Sequence, residues 1–484
     1  MIDTSWATRK GVELSCQDTK LLATPGHNVV DVMVGSLAAV PGLDEGKSDM
    51  YSTETSSRRG LLALVGPGLL VAATGVGAGD LATAGLVGSN LGTAILWAVV
   101  LGAVAKLVLN ENLARWQIAT GQTILEGAVT RLGWFVFAPF AVYFLAWTYF
   151  VGSALISACG VTLQALVPLT DDPELNKRVL GAGCSLVGLI LVWFGGFRLF
   201  EKVMAVCVGI MVVVTVLTAA ALAPALGEIV SGLFVPRIPD APGAVAQTVA
   251  LIGGVGGTLT IICYSYWMRE AGRVDANDLG TARLDIAVGY AMTALFGIAM
   301  VVIAAGIEVT GGGAGLVVQL ADRLDEALVP ALGETLASAA RFAFLVGAFG
   351  AVFSSLLGVW QAVPYVATDL WQLRGHVGKP EGVSASTVSA RSRPYRIYLL
   401  AIAIIPMAGL YTSFSTVQLA YAFVGALFVP ALGLVLLVLN NSERWIGRTF
   451  RNRWLSNSGL VIAIVVVGLA AAISIQQRLL QLMQ

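Results

Sequence analysis

The chain has 484 residues, of which 57% are hydrophobic and only 12% are charged, and its formal net charge is zero. Soluble domains carry about 25% charged residues, so this composition excludes an ordinary soluble domain and predicts a multi-pass protein embedded in a lipid bilayer. The basic residues are scattered, which excludes nucleic acid as a partner. We find no catalytic triad pattern, no HExxH and no nucleotide-binding loop, so we expect neither an enzyme nor an ATP-driven pump, and no cofactor.

The first 59 residues differ from the rest of the chain because they are polar and contain no apolar signal-peptide core. We interpret residues 1–59 as a disordered cytoplasmic tail and residues 60–484 as the transmembrane domain. The true start of translation is Met1 or Met50, and the sequence leaves that choice open.

Eleven segments are long and apolar enough to be membrane spans, since a spanning helix needs about 20 mostly apolar residues. They are 61–89, 93–116, 134–166, 179–196, 203–226, 244–270, 285–307, 340–371, 396–411, 415–440 and 457–477.

The loops between these spans differ in charge. Alternate loops, starting from the N-terminal side, carry about three times as many Lys and Arg residues as the other set. Basic loops stay in the cytoplasm. We therefore predict a cytoplasmic N-terminus and, because the span count is odd, an extracytoplasmic C-terminus, in a bacterial plasma membrane.

The first span cannot be a continuous helix. Glycines fall at Gly75, Gly77 and Gly79, and the carboxylate of Asp80 follows at once. Irregular backbone survives at membrane depth only where it is buried in protein or lines a cavity. A broken helix with an ionisable group at the break is typical of a transporter binding site.

The sixth span has the same defect, because four glycines fall between 253 and 257. The two breaks lie five spans apart, which predicts two five-helix repeats of opposite topology. The first repeat covers about 61–226 and the second about 244–440, while the helix at 457–477 lies outside both. The alternative is that these glycines serve only close helix packing.

Short motifs and the eleven-span layout make residues from about 60 to about 480 resemble the Nramp family of proton-coupled divalent-metal transporters. The motifs are GPGLLVAA at 66–73, LAT at 81–83, LAR at 113–115 and IATG at 118–121. The resemblance implies an all-α LeuT-type fold, an alternating-access mechanism, and a divalent metal ion as substrate with protons as the co-transported ion. We expect a monomer.

The site departs from the family pattern. Where the family has Asp-Pro-Gly-Asn in the first break, this chain has Gly77-Ala78-Gly79-Asp80, and the metal-binding Met and the His of the sixth span are absent. The positions that match the family's binding site are Gly77, Asp80, Gly254, Gly257, Thr258 and Gln418.

These residues offer oxygen ligands only, with Asp80 and Gln418 as the candidate metal ligands. Sulfur ligands select softer ions, so their loss favours a hard ion such as magnesium. Asp80 alternatively serves only as a cap for the helix that follows it.

Lys106 lies near the middle of the second span, where a charge is costly. We expect it to pair with Asp80 or with Glu111, either as part of a coupling mechanism or as a static ion pair. If Lys106 reaches Asp80, the site suits an organic solute such as an amino acid or a sugar. A sensor that no longer transports is the remaining alternative.

Overall fold

The computed structural model describes residues 66–222, 225–305, 314–380 and 388–482, and the elements within these ranges are all helices. The predicted tail at 1–59 and the choice between Met1 and Met50 lie outside the described residues. The α-helices are α1 (Pro67–Gly75), α2 (Ala78–Leu91), α3 (Leu96–Thr120), α4 (Ile124–Leu132), α5 (Trp134–Leu166), α6 (Pro173–Ala221), α7 (Leu226–Phe234), α8 (Ala244–Gly254), α9 (Thr260–Glu270), α10 (Asp278–Ala304), α11 (Ala314–Leu332), α12 (Glu334–Leu373), α13 (Arg393–Ile404), α14 (Phe414–Ala426), α15 (Phe428–Asn441), α16 (Glu443–Ile446) and α17 (Trp454–Leu482).

The described part of the chain contains six helical stretches that are long and apolar enough to cross a membrane. Each half-helix at the predicted breaks is, taken alone, too short to cross a membrane. The six stretches are Gly79–Thr120, Trp134–Leu166, Pro173–Ala221, Asp278–Ala304, Glu334–Leu373 and Arg393–Tyr411.

Both predicted breaks occur where the glycines indicated. The helix α1 ends at Gly75 and α2 begins at Ala78, so only Val76 and Gly77 separate the two halves of the first span. In the sixth span, α8 ends at Gly254 and α9 begins at Thr260.

The helix α6 contains the fourth predicted span and most of the fifth, and it ends at Ala221. Its 49 residues include Gly196, which has a left-handed φ of 66° and divides the helix there. A straight helix of this length would measure about 70 Å, more than twice the thickness of the hydrocarbon core. The division at Gly196 agrees with the predicted end of the fourth span.

Three helices in the connections and one interruption within a span were not predicted. The short helices α4 and α7 follow the second and fifth spans, and α11 lies between the seventh and eighth. The tenth span is interrupted at Leu427, between α14 and α15. The start of α4 is a capping box, in which Thr123 and Glu126 each accept a hydrogen bond from the other's backbone N–H.

Contacts between connections group the loops into two sets. At one end of the bundle, the backbone N–H of Gly378 donates to the carbonyl of Val129, and Arg115 donates to Asn452. At the other end of α3, the Trp97 indole donates to the carbonyl of Arg237. The first set contains the loops that are richer in Lys and Arg.

Candidate functional site at the paired helix breaks

The two breaks touch each other through glycine backbone. A Cβ atom added to Gly75 would lie 2.9 Å from the carbonyl carbon of Gly256, and one added to Gly257 would lie 3.2 Å from the Cα of Gly75. Gly256 and Gly257 have φ angles of 82° and 81°, in the region that favours glycine. The glycines therefore both open the helix and permit close packing, which combines the two roles that the sequence left as alternatives.

Asp80 caps the first break and also reaches the second. Its Oδ2 accepts a hydrogen bond from the backbone N–H of Gly77 at 3.3 Å, and its Oδ1 accepts one from the N–H of Gly256 at 3.2 Å. The side chain is buried at this junction. The predicted capping role is thus present, extended to a second helix 176 residues away in sequence, and it leaves carboxylate lone pairs free for a ligand.

Lys106 binds backbone carbonyls and, among the described residues, forms no ion pair with a carboxylate. Its Nζ donates to the carbonyl oxygens of Gly253 and Val255, each at 2.9 Å, and the residue is fully buried. These carbonyls lie at the C-terminal end of α8, where backbone oxygens lack helical partners and the helix dipole is negative.

The expectation that Lys106 pairs directly with Asp80 or Glu111 was wrong. The ion pairs in the described residues place Glu111 with Arg115 and, at 2.9 Å, with Arg283, and they do not include Lys106. The charges of Lys106 and Asp80 still interact at longer range. The physical reason is that backbone carbonyls at the C-terminal end of α8 accept hydrogen bonds from the ammonium and stabilise it without a carboxylate. The sequence alone does not reveal this contact.

Gln418 and Thr258 lie beside the two breaks. The Nε2 of Gln418 would be 3.4 Å from a Cβ on Gly79, while its buried Oε1 has no hydrogen-bond partner in the described part of the structure. The hydroxyl of Thr258 accepts a hydrogen bond from the indole of Trp147 at 3.1 Å. The structure therefore brings Gln418 to the first break with a free amide oxygen, and places Thr258 at the second.

The remaining predicted positions contribute backbone only. Gly77 is the N-cap residue of α2, and Gly254 is the last residue of α8. Gly257 packs against Gly75, as described above. No cluster of three or more His, Cys, Asp or Glu side chains suited to a metal ion occurs among the described residues, so any ion here would bind a mixed set of oxygens.

Two polar groups that hold the ends of α1 were missed by sequence reasoning, one at the first break and one at the start of the helix. The hydroxyl of Ser355 donates to the carbonyls of Ala73 and Val76, at 3.2 and 2.9 Å, and so satisfies the end of α1. A serine inside an apolar span gives only a weak signal, because most such hydroxyls bond within their own helix.

Asp285 was also missed, because it begins the apolar seventh span and looked like an end residue. Its Oδ2 accepts from the backbone N–H of Gly68 at 2.7 Å, from Arg273 at 2.6 Å and from the Tyr264 hydroxyl at 3.2 Å. Asp285 is fully buried, so this carboxylate fixes the start of α1 to α10.

Comparisons with known proteins point to one family. A family model described as natural resistance-associated macrophage protein-like (Nramp) matches residues 68–476. The chain is 24% identical over 433 residues to a divalent metal cation transporter, MntH, of Klebsiella pneumoniae strain 342, covering 86% of this chain and 95% of that protein. It is 27% identical over 194 residues to the metal transporter Nramp1 of Oryza sativa subsp. japonica, covering 40% of this chain and 36% of the rice protein.

A crystal structure of a mutant of the Eremococcus coleocola manganese transporter superposes with a TM-score of 0.65 at 17% identity, covering 90% of this chain and 91% of that chain. At this identity the likeness establishes the fold. It confirms the predicted all-α LeuT-type architecture.

Proposed function

The chain belongs to the Nramp family, and from this premise we propose that it is a secondary active transporter that carries a divalent metal ion through the paired breaks. It would act as a monomer in a bacterial plasma membrane. The names of its relatives support a metal substrate. The two breaks support alternating access, because irregular backbone at the start of each inverted repeat is where such transporters bind their substrate.

We further propose that the ion is hard, such as magnesium. The observation that carries this proposal is the buried, unpartnered Oε1 of Gln418, whose side chain lies beside Gly79 at the first break and adds a neutral oxygen ligand to the break that holds Asp80. Magnesium is bound through one or two carboxylates and keeps several waters, so a sparse oxygen site is sufficient for it.

Protons are the proposed co-transported ion. Asp80 is the one carboxylate that bonds to the backbone of both breaks in the described structure. A metal ion and a proton would compete for it, so co-transport requires a second group that holds the proton while the metal ion occupies Asp80, with binding at the two groups linked.

Uptake by the purified protein in liposomes tests the metal and the site together. We expect magnesium uptake that responds to an imposed pH gradient and that falls strongly in Gln418→Leu. Gln164→Leu is the matched control, because Gln164 also has a buried, unpartnered amide oxygen but lies on α5 outside the breaks. Manganese uptake at micromolar levels that excess magnesium does not inhibit would overturn the hard-ion proposal.

A second candidate is an organic solute such as an amino acid or a sugar. Lys106 favours it, because this cation already occupies two backbone carbonyls at the second break. The same liposomes distinguish the two: uptake of a labelled solute without any divalent-ion uptake would replace the metal proposal.

A further inference from the structure

The ammonium of Lys106 occupies a position suited to a small cation. It lies within 2.9 Å of the carbonyl oxygens of Gly253 and Val255. Half-helix C-terminal ends and unwound carbonyls are the groups with which transporters coordinate bound cations. We propose that Lys106 is a specificity-determining residue: a tethered cation that takes these two oxygens and restricts the site to ions that keep their water shell. This inference rests on the proposed transport of a divalent ion.

The position of the ammonium is fixed by its surroundings. A Cβ added to Gly256 would lie 3.6 Å from the Cγ of Lys106 and 3.0 Å from the ring of Tyr290, so both side chains pack against Gly256. Tyr290 is itself held by Asn110, whose amide donates to its hydroxyl at 3.0 Å. Because Lys106 is fully buried among these groups, it has no nearby route to water that would free the carbonyls.

At the second break, a positively charged side chain thus contacts the backbone carbonyls and a negatively charged side chain contacts a backbone N–H. Lys106 binds the carbonyls of Gly253 and Val255, while Asp80 accepts the N–H of the next residue, Gly256. An entering ion can share the carboxylate of Asp80, since that group has lone pairs to spare. It cannot reach the two carbonyls without displacing the ammonium. Among the groups described above, Asp80 and the Oε1 of Gln418 remain as direct ligands.

Calcium and magnesium respond differently to the loss of two oxygens. Calcium takes about six to eight oxygen ligands directly, whereas magnesium retains several waters and needs few protein ligands. Withholding the Gly253 and Val255 carbonyls therefore weakens calcium binding more than magnesium binding. Lys106 therefore makes the site selective for magnesium, the more strongly hydrated of the two ions.

Calorimetry on the purified full-length protein in detergent tests this with Lys106→Met. Removing one positive charge near Asp80 strengthens binding of both divalent ions by electrostatics, so the informative quantity is the ratio of calcium to magnesium affinity. We expect this ratio to rise about tenfold, the scale of one charge-assisted hydrogen bond. Lys106→Arg keeps the charge and its donors, and we expect its ratio to equal that of the unchanged protein.

An unchanged ratio of calcium to magnesium affinity in Lys106→Met would overturn the proposal. It would show that Lys106 affects both ions equally, through its charge alone. Lys106→Gln is measured in parallel in case the methionine variant does not fold. It is neutral and shorter, and the same rise is expected from it. Liposomes separate the two claims: absent uptake of both ions by the unchanged protein refutes transport, while the affinity ratio still decides the role of Lys106.

Discussion

At the scale of single residues, the breaks are stabilised by two charges that do not touch. Asp80 accepts hydrogen bonds from backbone N–H groups, and Lys106 donates hydrogen bonds to backbone carbonyls. Each therefore supplies partners for backbone groups that the broken helices leave unpaired. The sequence identified both residues, because charges are rare at membrane depth. It could not identify their partners, since Lys106 bonds to backbone atoms that any residue type would supply.

Replacing Asp80 separates its capping role from ligand binding. In Asp80→Ala, the N–H groups of Gly77 and Gly256 lose their acceptor, and each unsatisfied buried donor costs about 1–3 kcal/mol. We expect a lower melting temperature and no magnesium uptake. Asp80→Asn keeps only one of the two acceptor oxygens and loses the charge, so we expect a smaller fall in melting temperature than in Asp80→Ala, together with lost uptake. Normal uptake in Asp80→Ala would reduce Asp80 to a cap.

At the scale of the helices, close backbone contact defines the site. The glycine clusters predicted both breaks, because several glycines in one apolar span are too costly to be accidental. The contact between the breaks could not be predicted, since Gly75 and Gly256 are distant in sequence and nothing local marks them as neighbours. The polar group that holds the end of α1, Ser355, belongs to yet another helix and was missed for the same reason.

Substituting single glycines tests this contact. In Gly75→Ala, the new Cβ would meet the backbone of Gly256 at 2.9 Å, and backbone cannot yield as a side chain does. We expect a loss of about 1–3 kcal/mol in stability, the usual cost of overpacking, together with reduced uptake. Gly183→Ala is the matched control: this glycine is helical and a Cβ there would meet nothing within 4 Å. Equal melting temperatures for the two variants would contradict a tight junction.

Asp285 attaches the start of α1 to α10 through the N–H of Gly68, and the same carboxylate forms a buried ion pair with Arg273. Removing only one partner of such a pair costs about 3–5 kcal/mol, because the other charge stays buried and uncompensated. We therefore expect Asp285→Leu to lower the melting temperature more than the double substitution Asp285→Leu with Arg273→Met. The N–H of Gly68 loses its acceptor in both, so recovery in the double variant will be partial. No recovery would mean that Asp285 acts mainly on Gly68.

At the scale of the whole molecule, the loops form two sets that differ in charge. Five-span spacing of the breaks predicted the inverted arrangement, and hydropathy located the spans. The interruption at Leu427 and the helix α11 were not predicted as elements, because short amphipathic segments and single-residue kinks give little periodic signal. The contact of Gly378 with Val129 joins two of the basic loops at one end of the bundle.

The predicted orientation rests on that grouping and is open to direct test. In a background without the five native cysteines, Ser389→Cys reports on the loop between α12 and α13, and Asp171→Cys on the loop between α5 and α6. The helix α5 begins next to Gly378 and ends before Asp171, so the two reporters lie at opposite ends. Because basic loops remain cytoplasmic, a membrane-impermeant maleimide should label Asp171→Cys in intact cells and Ser389→Cys only after permeabilisation. Both must react in permeabilised cells as the control for access. The reverse pattern in intact cells would place the N-terminus outside.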